Sequence, residues 1–158
     1  MAEPNLDSLA TELAGHWTAL VRTMGSRKLS ASLHPALAAK LSPASLHALH
    51  VLADDAAPRI SALAGRLGLD ESTVTRLVDR LEALGLAERT HSEADRRSIV
   101  VTLTDTGREA VESMREQRRI FLGEVLSALE PAERTEFVRL TAKAAAVLQT
   151  RAAEVVRR

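Results

Sequence analysis

The sequence predicts a mainly α protein carrying one small β-hairpin, and three features predict it. Long amphipathic segments stand at both ends of the chain; two shorter helical segments flank the tight turn Gly68-Leu69-Asp70; and one alternating stretch ends at Leu103. With 158 residues and 46% apolar side chains, the chain has enough material for one core or for a small module on helical arms.

The elements follow in order. Leu6, Leu9, Leu13, Trp17 and Leu20 recur at helical spacing and predict an amphipathic helix over Leu6 to Met24. From Gly25 to Ser42 the pattern breaks at Gly25, Ser26 and Pro35, with a short helical return around Leu37 and Leu41. Ser42-Pro43 reads as an N-cap with proline at the first helical position, opening a helix through Leu46, Leu49, His50 and Leu52 to about Ala53, which Asp54-Asp55 and Pro58 end. Ser61 is placed to cap a short helix over Ala62 to Leu67, which Gly68 stops in a left-handed conformation. Asp70 then caps a second helix, 71–85, whose Val74, Leu77, Val78, Leu81 and Leu84 form a full apolar face.

Two strands, Leu86 to His91 and Ser98 to Leu103, make the hairpin, with Ile99, Val101 and Leu103 on one side and Ser98, Val100 and Thr102 on the other. Its tip, 92–97, is polar and projects into solvent. Thr104 caps a long helix carrying Val111, Met114, Phe121, Leu122, Val125, Leu126 and Leu129 up to Glu130-Pro131. A last helix with Phe137, Leu140, Ala144, Val147, Leu148 and Val155 runs to about Val156.

The elements assemble as a winged helix-turn-helix module, mainly α with a small β-wing, flanked by long N- and C-terminal dimerisation helices. The expected divisions are an N-terminal arm 1–42, a DNA-binding module 43–104 and C-terminal dimerisation helices 105–158. The apolar stripes of the arms need covering, and a second copy of the chain is the simplest cover.

Composition removes several function classes. The absence of cysteine excludes disulfides, thiolate-bound metal and thiol redox sensing. No apolar run reaches the roughly 18 residues that span a bilayer, and the N-terminus has no secretory pattern, so the expected location is cytoplasmic. Aromatics are 2% with no tyrosine, which disfavours a stacking platform for single strands. Lys plus Arg equals Asp plus Glu at 21 each, so any nucleic-acid binding must come from local arrangement. No nucleophile elbow, phosphate loop or paired carboxylate marks an enzyme, no cofactor is implied, and five histidines without a His-x3-His spacing suggest no metal site.

The run from Ile60 to Arg89, the wing residues Asp95-Arg96-Arg97-Ser98 and the stretch Leu103-Thr-Asp-Thr-Gly107 resemble the multiple antibiotic resistance regulator (MarR) family. That resemblance implies a homodimer with interleaved terminal helices, and a repressor of transcription released by a small molecule.

The residues themselves mark a DNA-reading surface. With one face of helix 71–85 in the core, Ser72, Thr73, Thr75, Arg76, Asp79 and Arg80 lie on the others, mostly in the half that enters the major groove. Hydroxyls bond base edges or phosphates, and the Arg76 fork matches guanine O6 and N7. Arg80 contacts phosphate or pairs with an acidic neighbour, Asp79 or Asp95. At the wing, Arg96 and Arg97 reach for the minor groove, and Asp95 orients one of them. Two copies would present their helices about 34 to 36 Å apart to a pseudo-palindromic duplex. An organic effector between the N-terminal helix and the module would meet His16, Trp17, Leu20, His47 and His50. The rival reading, supported by the neutral net charge, is a winged-helix protein-interaction or architectural module without sequence-specific DNA reading.

Overall fold

The computed structural model describes residues 5–54, 57–92 and 95–156. Asp55 and Glu93, which the sequence placed at a helix end and at the wing tip, lie outside these, as do the first four residues and the side chain of Val155. The chain falls into two compact units, divided between Gln117 and Arg118.

The first unit opens with α1, Leu6–Met24, capped by the Asn5 side chain, which accepts from Asp7 N at 3.2 Å. No residue of α1 is buried, and its apolar stripe lies open: Leu6 is 78% exposed, Leu13 62% and Trp17 48%. The segment after it is more helical than its sequence suggests. The break expected at Gly25 and Ser26 is present, and Ser26 also caps a helix the sequence did not predict, α2, Arg27–Leu33, accepting from Leu29 N at 3.1 Å. A serine hydroxyl that competes with backbone bonding inside a helix satisfies an orphan N–H at its start, so the same chemistry interrupts or begins. The expected short return is α3, Pro35–Ala38, with proline in its first turn.

Next come α4, Pro43–Asp54, α5, Ile60–Leu67, and α6, Glu71–Ala83. Ser42 caps α4, its Oγ accepting from Ser45 N at 3.1 Å. The start of α5 differs from the expected Ser61 cap. Arg59 is the cap residue without a side-chain bond, its carbonyl accepting from Leu63 N at 2.9 Å. The chain is held one step earlier, where the Pro58 carbonyl accepts from Val101 N of the wing at 3.0 Å. Gly68 ends α5 at φ 65°, in the left-handed region where a Cβ is costly. Helix α6 stops at Ala83, with Leu84 as cap and Gly85 at φ 67°, so the last two residues of the expected 71–85 form its exit turn.

Strands β1, Ala87–His91, and β2, Ile99–Leu103, pair antiparallel, Ala87 opposite Leu103 and His91 opposite Ile99. Val101 and Leu103 are buried as the alternation predicts, but Val100 on the opposite side is buried too, and Ile99, at the outer end of the strand, is 52% exposed. Leu49, Leu63, Val74, Val78, Leu81 and Val101 form that core. It extends past the expected module limits of 43–104: Leu41 joins it from one side, and Val111 and Met114 from α7, Asp105–Ser127, on the other. The start of α7 is fixed by contact, since a Cβ added at Gly107 would lie 1.9 Å from the Leu86 carbonyl oxygen.

In the second unit the end of α7 turns into α8, Pro131–Val156. The Arg134 Nε donates to the Leu126 and Leu129 carbonyls, both at 2.9 Å, closing the turn. Phe137, Leu140, Val147 and Leu148 are each about half exposed, an apolar face within a single chain. None of the described helices is long and apolar enough to cross a membrane.

Candidate nucleic-acid interface

Helix α6 carries the expected reading face because its core face is used up: Val74, Leu77, Val78 and Leu81 are buried, leaving Ser72, Thr73, Thr75, Arg76 and Arg80 exposed. Its start is tightly organised. The Asp70 carboxylate accepts from Thr73 N at 2.8 Å, from the Ser72 hydroxyl at 2.6 Å and from the Thr73 hydroxyl at 2.7 Å. These hydroxyls, with the Thr73 N–H, hold the Asp70 carboxyl well below the ordinary carboxylate range. One turn along, the Thr75 hydroxyl donates to the Glu71 carbonyl at 2.7 Å. Among the described residues Arg76 has no hydrogen-bond partner, so its guanidinium stands ready in solvent.

Arg80 makes neither of the acidic pairings expected of it, with Asp79 or Asp95, among the described residues. Its Nε and Nη2 donate to the Lys40 carbonyl, at 3.3 and 3.2 Å, tying the back of α6 to the turn before α4. Asp79 pairs instead with Arg89 of β1, at 2.7 Å. Arg89 also pairs with Glu82, whose other oxygen accepts from Arg89 N at 2.8 Å. This half-buried arginine bridges reading helix and wing, and the sequence offered no local signal for it. The signal lies in pairing across elements, in a strand residue whose acidic partners sit on the preceding helix.

The wing is polar where described. Asp95 accepts from the backbone N–H of Arg97 at 3.0 Å, so it orients the turn backbone rather than a guanidinium, as an aspartate two residues before an N–H commonly does. Ser98 N donates to Asp95 O, and Ser92 N to Ser98 O, each at 2.8 Å, closing the tip. Arg96 and Arg97 are exposed on it.

The effector candidates fall into two neighbourhoods. His16, Trp17 and Leu20 lie on the exposed α1, where His16 Nε2 is 3.7 Å from Glu12 Oε1, and the main packing partner of α1 is α2. His47 is exposed and His50 half-buried on α4, which packs on α3, α5, α6 and β2. An open cleft of about 610 Å³ in the first unit lies elsewhere, floored by Leu52, Leu103 and Val111 and edged by Arg108 and Arg115. Among the described residues no three His, Asp or Glu side chains converge as a metal site would need.

A family model described as MarR family matches residues 41–99. The chain is 34% identical over 110 residues to the HTH-type transcriptional repressor MdtR of Bacillus subtilis (strain 168), covering 70% of this chain and 71% of MdtR. Two uncharacterised Bacillus subtilis regulators, YfiV and YdgJ, match over about half their length. Among solved structures, RV1404 from Mycobacterium tuberculosis superposes with a TM-score of 0.71 at 28% identity, covering 92% of this chain and 97% of that one. Bordetella bronchiseptica BpsR, whose structure concerns regulation of DNA binding by 6-hydroxynicotinic acid, has a TM-score of 0.60 at 29% identity, covering 84% and 98%.

Proposed function

The chain belongs to the MarR family of winged helix-turn-helix, DNA-binding transcriptional regulators, and from that premise we propose that a homodimer reads a pseudo-palindromic duplex with α6 in the major groove and the Arg96/Arg97 wing in the minor groove. It is a regulator rather than an enzyme and works in the cytoplasm. One observation carries the reading: α6 turns its whole apolar face to the core while Arg76, unpartnered among the described residues, stands on the opposite side.

In this reading Arg76 discriminates guanine, Ser72, Thr73 and Thr75 meet neighbouring base edges or phosphates, and Arg96 and Arg97 fix register. Asp95 shapes the wing turn, and Arg80 braces α6 with phosphate contact left to whatever reach its bond to Lys40 allows. Residues 1–42 and 105–158 supply the dimerisation helices, matching the uncovered apolar faces of α1 and α8. Repression relieved by a small organic effector is proposed by analogy with the repressor MdtR and the ligand-regulated BpsR. His16, Trp17, Leu20, His47 and His50 are its candidate contacts, brought together by a second copy.

The experiment is a binding titration of the purified protein on duplex from its own upstream region against scrambled duplex of equal length, at low salt. Preference for the upstream duplex is expected. Equal binding to both would favour the rival interaction module, to which the neutral net charge points.

A further inference from the structure

Every hydroxyl on the first half of the reading helix has already given its proton away. The Ser72 and Thr73 protons go to the two oxygens of Asp70, at 2.6 and 2.7 Å, and the Thr75 proton goes to the Glu71 carbonyl at 2.7 Å. A hydroxyl has one proton and two lone pairs, so each of these oxygens faces solvent as an acceptor. Asp70, ionised, is itself acceptor-only. Arg76, the next polar side chain, is donor-only and has no partner among the described residues. The reading face therefore has a fixed polarity along its length.

Building on the proposed role of α6 in DNA reading, we propose that Asp70 is a specificity-determining residue: by holding the Thr73 proton it makes the start of α6 select amino bases, adenine or cytosine, over keto bases on the facing strand. In the major groove adenine N6 and cytosine N4 donate, whereas guanine O6 and thymine O4 accept. Acceptor oxygens meeting O6 or O4 leave two lone-pair surfaces opposed and desolvated, and that unmade bond discriminates more than the made one rewards. The selected half-site thus holds an amino base under the first turn of α6 beside the guanine that Arg76 takes. Because its hydroxyl partners keep Asp70 ionised far below the usual carboxylate range, the arrangement persists across roughly pH 5 to 8.

The test is selection from randomised duplex with the full-length protein and with Asp70→Asn. Asparagine caps helices as well as aspartate does. Its oxygen retains the Thr73 N–H and Ser72 bonds, while its amide donates to Thr73 Oγ and frees that hydroxyl proton to reach a keto oxygen. The native protein should show an amino-over-keto bias of about fivefold to tenfold at one position per half-site. In Asp70→Asn and in Thr73→Val that bias should collapse, with the guanine beside it and the helical circular dichroism unchanged. A specific site without amino-over-keto bias, or a bias that survives Asp70→Asn, overturns the proposal while leaving DNA reading intact. Selection of no sequence at all by the native protein overturns the DNA-reading function instead.

Discussion

Arg76 and Arg89 divide the work of the arginines on this surface according to what each already touches. Arg76 has its five donors free among the described residues, so removing it breaks no side-chain bond within the protein. Arg76→Ala should cost roughly 1 to 3 kcal/mol on the selected site and almost nothing on scrambled duplex, read by paired titrations. Arg89 is spent within the protein, on Asp79, Glu82 and the Thr75 carbonyl. Its side chain is only 26% exposed, so these bonds are less screened than a surface pair, although the Asp79 side chain is 57% exposed. Arg89→Met should lower stability by about 1 kcal/mol in urea unfolding. It should also weaken specific and scrambled binding together, because the wing loses its brace on α6. A loss confined to the specific duplex would show that Arg89 reads bases.

At the scale of elements, the helix-turn-helix was legible because its determinants are local. The Asp70 cap, the Gly68 stop and the apolar period of α6 all act within a few residues. The wing strands were legible for the same reason, from alternation. What escaped the sequence lies between elements: Arg80 reaching back to the Lys40 carbonyl, Arg89 reaching from strand to helix, and the Pro58 carbonyl that sets where α5 begins. Of the candidate site, positions were readable and partners were not. Gly107 belongs to this class, a glycine whose reason is the Leu86 carbonyl 1.9 Å from where its Cβ would stand. Gly107→Ala must move α7 off the hairpin base, with an expected loss of about 1 to 3 kcal/mol in thermal or urea unfolding. Gly123→Ala, with nothing within 4 Å of the new Cβ, should be neutral or slightly stabilising in the same assay.

Across the whole molecule, the uncovered stripe of α1 is the surface proposed to pair two copies. Leu13 at 62% exposure and Trp17 at 48% are apolar area that a lone chain leaves in water. Leu13→Asp should shift the protein from dimer to monomer in sedimentation at micromolar concentration. Affinity for a full palindrome should fall about a hundredfold or more while half-site affinity holds, since two linked contacts become one. A variant that stays dimeric with native affinity would place the interface elsewhere.

Thr104 joins three parts of the first unit with one small side chain. Its hydroxyl donates to the Gly85 carbonyl at 2.6 Å and accepts from Gly107 N at 3.0 Å, while its own N–H donates to the Leu86 carbonyl at 3.2 Å. The exit of α6, the base of the wing and the origin of α7 therefore share a hinge pin. The base of the wing and the start of α7 are thus tied through one side chain, so a substitution that removes the Thr104 hydroxyl loosens both attachments at once.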